Sequence, residues 1–297
     1  MSAEAARARR WDAIEAPLGE GPSAYLILDR RAHGTPTPLL EQVADRLGER
    51  GIELRMGVVE EMAVRPDELR PTFGAYLLKS YSDLALGLAA VLDGRGARVL
   101  NPYLSCALLR DKVATAAALR DAGVPAPRTW ATADPLTLAP LLAETPLIVK
   151  PARGVHGAGV RVVREATELR RLREELAPDD AARPPLVAQE LVPGPGSDLK
   201  LYVAGDRTFA VRKPFSAASH VEDGEQCSVP DRARKIALHA GRALGLRIYG
   251  LDLIEGPSGP VVVDVNYFPG FRGVSDAAEA VAAEVASFVR EGALRAA

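Results

Sequence analysis

Three oxygen-bearing side chains near the C-terminus set the chemistry this chain can offer. Asp252 lies in the apolar run 248–254, and Asp264 and Asn266 close a second run, 261–265, across a short turn at 255–260. Side chains two apart in a strand point to one face, so Asp264 and Asn266 lie together, and Asp252 on the neighbouring strand of a hairpin can face them. Hard oxygen donors with open positions suit Mg2+, which keeps several waters and completes its shell with substrate phosphates. Val261, Val262, Val263 and Val265 read as a buried β-branched run, at whose end an enclosed Asp and Asn need a compensating partner. Solvated turn residues are the plain alternative.

A second group begins at Lys150, which ends the apolar strand 147–150 and leads into a loop with Arg153, Gly154, His156, Gly157 and Gly159. Such a loop can bring an ammonium and several backbone N–H groups against phosphate oxygens. The lysine precedes the glycines and no helix follows at once, so the segment is neither the GxxxxGK[ST] loop nor a dinucleotide fingerprint. A simple hairpin loop is the competing reading, in which His156 only decorates the surface. Gln189, Glu190, Leu191 and Val192 then run from a strand into a crossing segment, 193–196, whose backbone could pair with an adenine edge while apolar side chains enclose the ring. Asp198, Lys200, Arg212 and Lys213 recur on the next hairpin, and Arg110, Asp111 and Lys112 sit near the start of a helix. The cations among them would neutralise a triphosphate, or else belong to solvated faces.

Positioning these groups requires three regions. Strand 25–28 and helix 38–50, closed by Gly51, form a βα unit; strand 75–78, helix 84–92 and strand 99–100 repeat the alternation, predicting a small α/β layer domain that ends near Asn101-Pro102. A helix over 105–122 leads to strands 147–150 and 160–163 and a helix at 165–176. A Pro-rich break at 178–185 precedes strand 186–190, expected to open the third region. There, runs 199–203 and 208–212 around Gly205-Asp206 predict an antiparallel hairpin, followed by a helix at 231–244, the strands of the first paragraph and a helix at 275–289.

With 297 residues, nearly half of them apolar, the chain can bury a large core. A net charge of -2, with both signs spread along the chain, gives no footprint for nucleic acid. The two cysteines, Cys106 and Cys227, lack metal-type spacing and argue against a secreted disulfide scaffold. The basic start around Arg7, Arg9 and Arg10 runs into acids and Pro17 instead of an apolar stretch, and no segment reaches the ~18 apolar residues of a membrane helix. A cytoplasmic protein is expected.

Taken in order, Arg110-Asp-Lys112, Ile148-Val-Lys-Pro151, Gln189-Glu-Leu-Val192, Asp198-Leu-Lys200, Gly250-Leu-Asp252 and Asp264-Val-Asn-Tyr-Phe-Pro-Gly270 resemble the ATP-grasp superfamily. Leu26-Ile-Leu-Asp-Arg30 and Leu77-Leu-Lys-Ser80 look like the ribosomal S6 glutamate ligase (RimK-like) branch, which joins a carboxylate to an amine. The Asp264 segment and His156 look more like the inositol trisphosphate 5/6-kinases, and Asp264 stands where the ligases usually carry glutamate. The resemblance implies an α/β and α+β fold in which an N-terminal α/β domain (1–104) precedes a central subdomain (105–185) and a C-terminal subdomain (186–297) that clamp ATP between them. It implies Lys112 and Lys150 on the phosphates, the loop with His156 and Gly157 closing over them, and Gln189, Glu190, Leu191 and Val192 around adenine. Asp198 and Lys200 would line the nucleotide site, Arg212 would approach the transferred phosphoryl group, and Asp252, Asp264 and Asn266 would hold Mg2+, with Mn2+ as the substitute. Arg272, just after Pro269-Gly270, is the expected grip on a substrate carboxylate. The expected reaction is ATP-dependent amide formation on a small-molecule or peptide substrate. A kinase, with Lys79, Arg153, His156, Lys213 and Arg272 on substrate phosphates, and a nucleotide-binding module without catalysis are the alternatives. A homo-oligomer is left open.

Overall fold

The computed structural model describes Ile14 and residues 21–30, 36–154, 159–176, 185–214 and 224–296. Within its first hundred residues the apolar strands are buried on both faces and therefore run parallel between helices. Strands β1 (Ser23–Leu28), β2 (Glu53–Val58), β3 (Ala75–Lys79) and β4 (Val99–Leu100) form a sheet in the order β2-β1-β3-β4, with helices α1 (Pro38–Glu49) and α2 (Asp83–Gly94) in the crossovers. Strand β2 carries no clear apolar signal in the sequence, because at this edge of the sheet Glu53 and Arg55 interrupt the run.

The helix expected over 105–122 is two helices, α3 (Tyr103–Leu109) and α4 (Lys112–Asp121). Asp111 causes the break: its backbone is extended and its Oδ1 accepts from the N–H groups of Val113 and Ala114 at 2.9 and 3.3 Å. An aspartate that caps the first turn of a helix interrupts a longer one. The break puts Lys112 at the first position of α4, where its N–H bonds the carbonyl of Ala152 at 2.9 Å.

A second sheet, in the order β5-β8-β6-β7, comprises β5 (Thr129–Thr132), β6 (Leu147–Pro151), β7 (Arg161–Val163) and β8 (Leu186–Glu190). Strand β8, expected to open the C-terminal region, instead lies between β5 and β6, because its buried apolar face completes the core of this sheet. The third sheet, in the order β11-β10-β9-β12-β13, contains β9 (Ser197–Ala204), β10 (Arg207–Pro214), β11 (Glu225–Cys227), β12 (Ile248–Gly256) and β13 (Gly259–Tyr267). Helices α5 (Ala166–Glu175), α6 (Asp231–Ala243) and α7 (Ala277–Ala296) complete the described α-helices, and 3-10 turns occupy Val59–Glu61 and Pro135–Ala143.

Leu147, Val149, Val163, Leu169, Leu186 and Ala188 belong to a separate small core under the second sheet. By contrast the first and third sheets share one core, with Leu26 and Leu77 in the same cluster as Leu201, Leu251 and Val281. Asn101 fastens that junction: its Nδ2 donates to the Ile248 carbonyl at 2.7 Å, and its Oδ1 accepts from the N–H groups of Arg247 and Ile248 at 2.8 and 3.0 Å. All the polar atoms of a fully buried amide side chain are thereby used.

Candidate active site

Register decides which side chains meet. In the third sheet Asp252 stands opposite Lys200 on β9 and Asp264 on β13, Gly250 stands opposite Tyr202 and Asn266, and Asp198 stands opposite Lys213. Directly paired residues share a face, so Asp198, Lys200, Tyr202, Lys213, Asp252, Asp264 and Asn266 all lie on one side. Leu199, Leu201, Val203, Leu251 and Leu253 lie on the other, in the shared core.

A β-bulge makes this arrangement possible. Asp252 pairs with Asp264, but Leu253 pairs with Val262, leaving Val263 as the extra residue. The bulge sends Val262 into the core although it is two residues from Asp264, and it leaves the Val263 carbonyl to accept from Lys150 Nζ at 3.1 Å. The valine run is therefore not uniformly buried, since Val261 and Val263 are only half-covered.

Lys150 arrives from the second sheet, on the face it shares with Ile148, Val162, Val187 and Gln189. Burial lowers its pKa, with Asp264 opposing the shift and Lys112 adding to it. Lys112 Nζ lies 3.6 Å from Asp264 Oδ1 and donates to the Gly154 carbonyl at 3.2 Å. Val162, unusually exposed for an apolar residue at 46%, joins Ile148 in an apolar wall of the kind a base ring requires.

Lys200 sits 2.7 Å from Asp252 Oδ1 and 3.2 Å from Asp198 Oδ2. Burial disfavours its ammonium, but the two carboxylates outweigh that effect and hold its pKa above the ordinary lysine range. Burial pushes the Asp252 carboxyl upward; Lys200 pulls it back while the like charge of Asp264 adds to the rise. The second Asp198 oxygen, Oδ1, is buried with no hydrogen-bond partner among the described residues, an acceptor that a donor from a bound molecule could meet. Two carboxylates and one amide make an all-oxygen donor set, and among the described residues no group of three or more His, Cys, Asp or Glu forms a metal cage. That composition fits Mg2+ shared with phosphates better than a closed structural site.

Other expected residues fall elsewhere. Arg212 pairs with Leu199 and so lies on the helix-covered face, where its guanidinium meets Glu255 at 2.5 Å. It does not face Asp252; the alternation of the strand gives that side to Lys213, which is 3% exposed. Gln189 Nε2 donates to Thr129 Oγ1 at 3.4 Å, and Glu190 pairs with Arg128 at 2.7 Å. The N–H groups of Glu190 and Leu191 bond the carbonyls of Arg128 and Pro146, so neither is available to a base edge. The crossing segment with Val192 runs close over the third sheet: a side chain at Gly194 would come within 2.6 Å of Ile254 Cγ2. Arg110 serves structure, pairing with Asp83 at 2.7 Å and donating to the Tyr81 carbonyl. His156 and Gly157 lie outside the described residues.

Beyond Asn266 the chain folds back over the sheet. Phe268 and Phe271 adopt positive φ of 41° and 49°, a conformation non-glycine residues rarely take. Phe271 stacks on Tyr202 at 5.2 Å, and Pro269 comes close enough to Gly250 that a Cβ there would meet its Cγ at 3.2 Å. Lys79, buried at the end of β3, donates to the carbonyls of Phe268 and Pro269 at 2.8 and 2.9 Å. It is a clamp on this turn and not a ligand for substrate phosphate. Arg272 follows the turn, exposed. Sequence reasoning missed Tyr81 and the bulge at Val263; Tyr81 directly follows the apolar strand that carries Lys79 and Ser80, which was its one available signal.

A sheet that brings Lys150 and an apolar wall against one that carries carboxylates, an amide and further lysines has the parts a nucleoside triphosphate clamp requires. Residues 109–269 match the family model described as the ATP-grasp domain, more than half of the chain. The chain belongs to the ATP-grasp family. It is 30% identical over 243 residues, 76% of its length and 80% of the relative's, to a probable alpha-L-glutamate ligase of Xanthomonas oryzae pv. oryzae. Among solved structures it resembles the ATP-grasp ligase PsnB in complex with a minimal precursor, at 26% identity and a TM-score of 0.66, over 90% of this chain and 99% of that one. A RimK domain ATP-grasp protein from Sphaerobacter thermophilus has the same fold, at 24% identity and a TM-score of 0.71, over 90% and 99% of the two chains. The glutamate ligase relative and PsnB place the chain among the ATP-grasp ligases. No described helix is long and apolar enough to cross a membrane.

Proposed function

We propose that this protein is a magnesium-dependent carboxylate–amine ligase that works through an acyl phosphate. The observation that carries the reading is the convergence of Asp252, Asp264 and Asn266 on one face, with Lys112 at the start of α4 3.6 Å from Asp264 and Lys150 reaching the Val263 carbonyl beside it from the second sheet. A substrate carboxylate oxygen attacks the γ-phosphorus, ADP leaves, and the amine then displaces phosphate from the acyl carbon, so that one ATP yields ADP, phosphate and one amide. Such transfer depends on positioning and charge neutralisation, with no side-chain nucleophile. Asp252, Asp264 and Asn266 would hold Mg2+, or Mn2+ in its place, which would supply charge for the phosphates. Lys150 and Lys112 bind phosphate oxygens, and Lys200 leaves Asp252 to do the same. Lys213 takes the role first assigned to Arg212, near the transferred group, and Arg272 grips the carboxylate of the acceptor. Asp198 accepts a hydrogen bond from the nucleotide.

The name of the glutamate ligase relative suggests an amino acid as one partner, and that of PsnB in complex with its precursor admits a peptide as the other. The decisive assay incubates the protein with ATP, Mg2+, glutamate and a panel of peptides and amino acids, with hydroxylamine added to trap acyl phosphate. Hydroxamate and ADP in equal amounts support the reading. Phosphate retained on an alcohol, without hydroxamate, would establish a kinase instead.

A further inference from the structure

The N-terminal domain touches the end of β13 through three consecutive residues. Lys79 and Ser80 make backbone-directed contacts: Lys79 donates to two turn carbonyls, and the Ser80 carbonyl accepts from the Tyr267 hydroxyl at 2.6 Å. Tyr81 differs. Its hydroxyl lies 3.2 Å from Asn266 Oδ1 and 3.3 Å from the Tyr267 carbonyl, and so reaches the amide side chain itself. We infer that Tyr81 is a positioning residue that orients Asn266 for metal binding, making the N-terminal domain a working part of the site.

Four constraints fix the Tyr81 hydroxyl. The ring stacks on Tyr267 at 4.4 Å with 26° between planes; the Tyr81 N–H bonds Asp29 Oδ2 at 3.2 Å; its carbonyl accepts from Arg110; and Ser82, next in the chain, caps α2 by accepting from the Ala85 N–H at 3.1 Å. The hydroxyl so held reaches the Asn266 side-chain oxygen as well as the Tyr267 backbone carbonyl, whereas Lys79 meets the turn carbonyls and Ser80 the Tyr267 hydroxyl. An amide that binds metal must hold its oxygen toward the cation, and a hydroxyl partner stops it rotating. Arg110, expected on the triphosphate, acts one step further out by holding Tyr81.

The inference rests on the reading of Asn266 as a metal ligand, and the test separates the two. Mn2+ is titrated into the full-length protein with a non-hydrolysable ATP analogue, followed by paramagnetic resonance, for wild type, Asn266→Ala, Tyr81→Phe and the double variant. Phenylalanine keeps the stack on Tyr267 and removes only the hydroxyl. Tyr81→Phe is expected to weaken Mn2+ binding by about 10- to 100-fold, with an unchanged melting temperature, and to add nothing to Asn266→Ala. If Asn266→Ala weakens the metal while Tyr81→Phe does not, or if the two losses simply add, the positioning role is overturned and the metal assignment stands. If Asn266→Ala leaves Mn2+ binding intact, the metal assignment of Asn266 falls, and the inference with it.

Discussion

The second sheet and the pair formed by the first and third sheets are stabilised differently, and that difference predicts which part moves. The first and third sheets share one core, sealed by Asn101 and by ion pairs from Glu279 on α7 to Arg46 and Arg50 around α1. The second sheet has a small core of its own and meets the third through polar bonds, Lys150 to the Val263 carbonyl and the Val262 N–H to the Pro125 carbonyl at 2.8 Å, and through the crossing segment, where Gly194 lies against Ile254. Polar contacts across a cleft can be exchanged for ligand contacts at little net cost, whereas a shared apolar core cannot be opened without exposing it. This contrast predicts that the central lobe, built on the second sheet, moves as a jaw against a rigid body that carries Asp252, Asp264 and Asn266.

Breaking the rigid side of this comparison should have the largest effect on chemistry. Asp264→Ala is expected to lower turnover by about 10^3-fold or more, since charge stabilisation by a metal amounts to several kcal/mol, while circular dichroism and melting temperature stay near wild type. Unaltered turnover with full Mg2+ dependence would remove Asp264 from the site.

Leu169→Ala addresses the jaw itself. Leu169 is fully buried in the small core, so its truncation should cost about 2–5 kcal/mol. Hydrogen exchange should accelerate in residues 129–151 and 186–190 and remain unchanged in β1 and β3. Equal acceleration in both bodies would mean that the cores unfold as one. Lys150→Ala acts at the seam, where loss of a charge-assisted contact should weaken ATP binding by about 1.5–3 kcal/mol, measured by calorimetry. An unchanged affinity would mean that Lys150 only latches the jaw to Val263.

The smallest effect is expected within the rigid body. Arg247, hydrogen-bonded to Glu291, holds that carboxyl down at about 2, whereas burial raises that of Glu284, which meets the same guanidinium. A depressed carboxyl stabilises the fold above its unfolded pKa near 4.5 and loses that contribution as the pH falls toward 2. Because the Glu291 side chain is 41% exposed, screening limits the contribution to less than about 1 kcal/mol. Glu291→Gln should lower the melting temperature slightly at pH 7 and flatten its fall between pH 4.5 and 2, with the two proteins converging near pH 2; a shift in acid larger than at pH 7 would contradict it.

Periodicity alone placed most strands and helices, and the residue types at strand ends pointed to phosphate and metal chemistry: Asp252, Asp264, Asn266 and Lys150 do converge. These signals are local, because a side chain's face follows from its position along its own strand and the cost of burying charge limits what it can pair with. Three features were decided only by tertiary structure. The bulge at Val263 changed which valines are buried, the strand order assigned β8 to the jaw, and the register put Lys213, not Arg212, on the cleft face. Each depends on which strand pairs with which and at what offset, and pairing energy is gained between segments far apart in the chain, where no local pattern records it. The contact of Tyr81 with Asn266, 185 residues away, belongs to the same class. It exists because one apolar core joins two domains that the sequence presents separately.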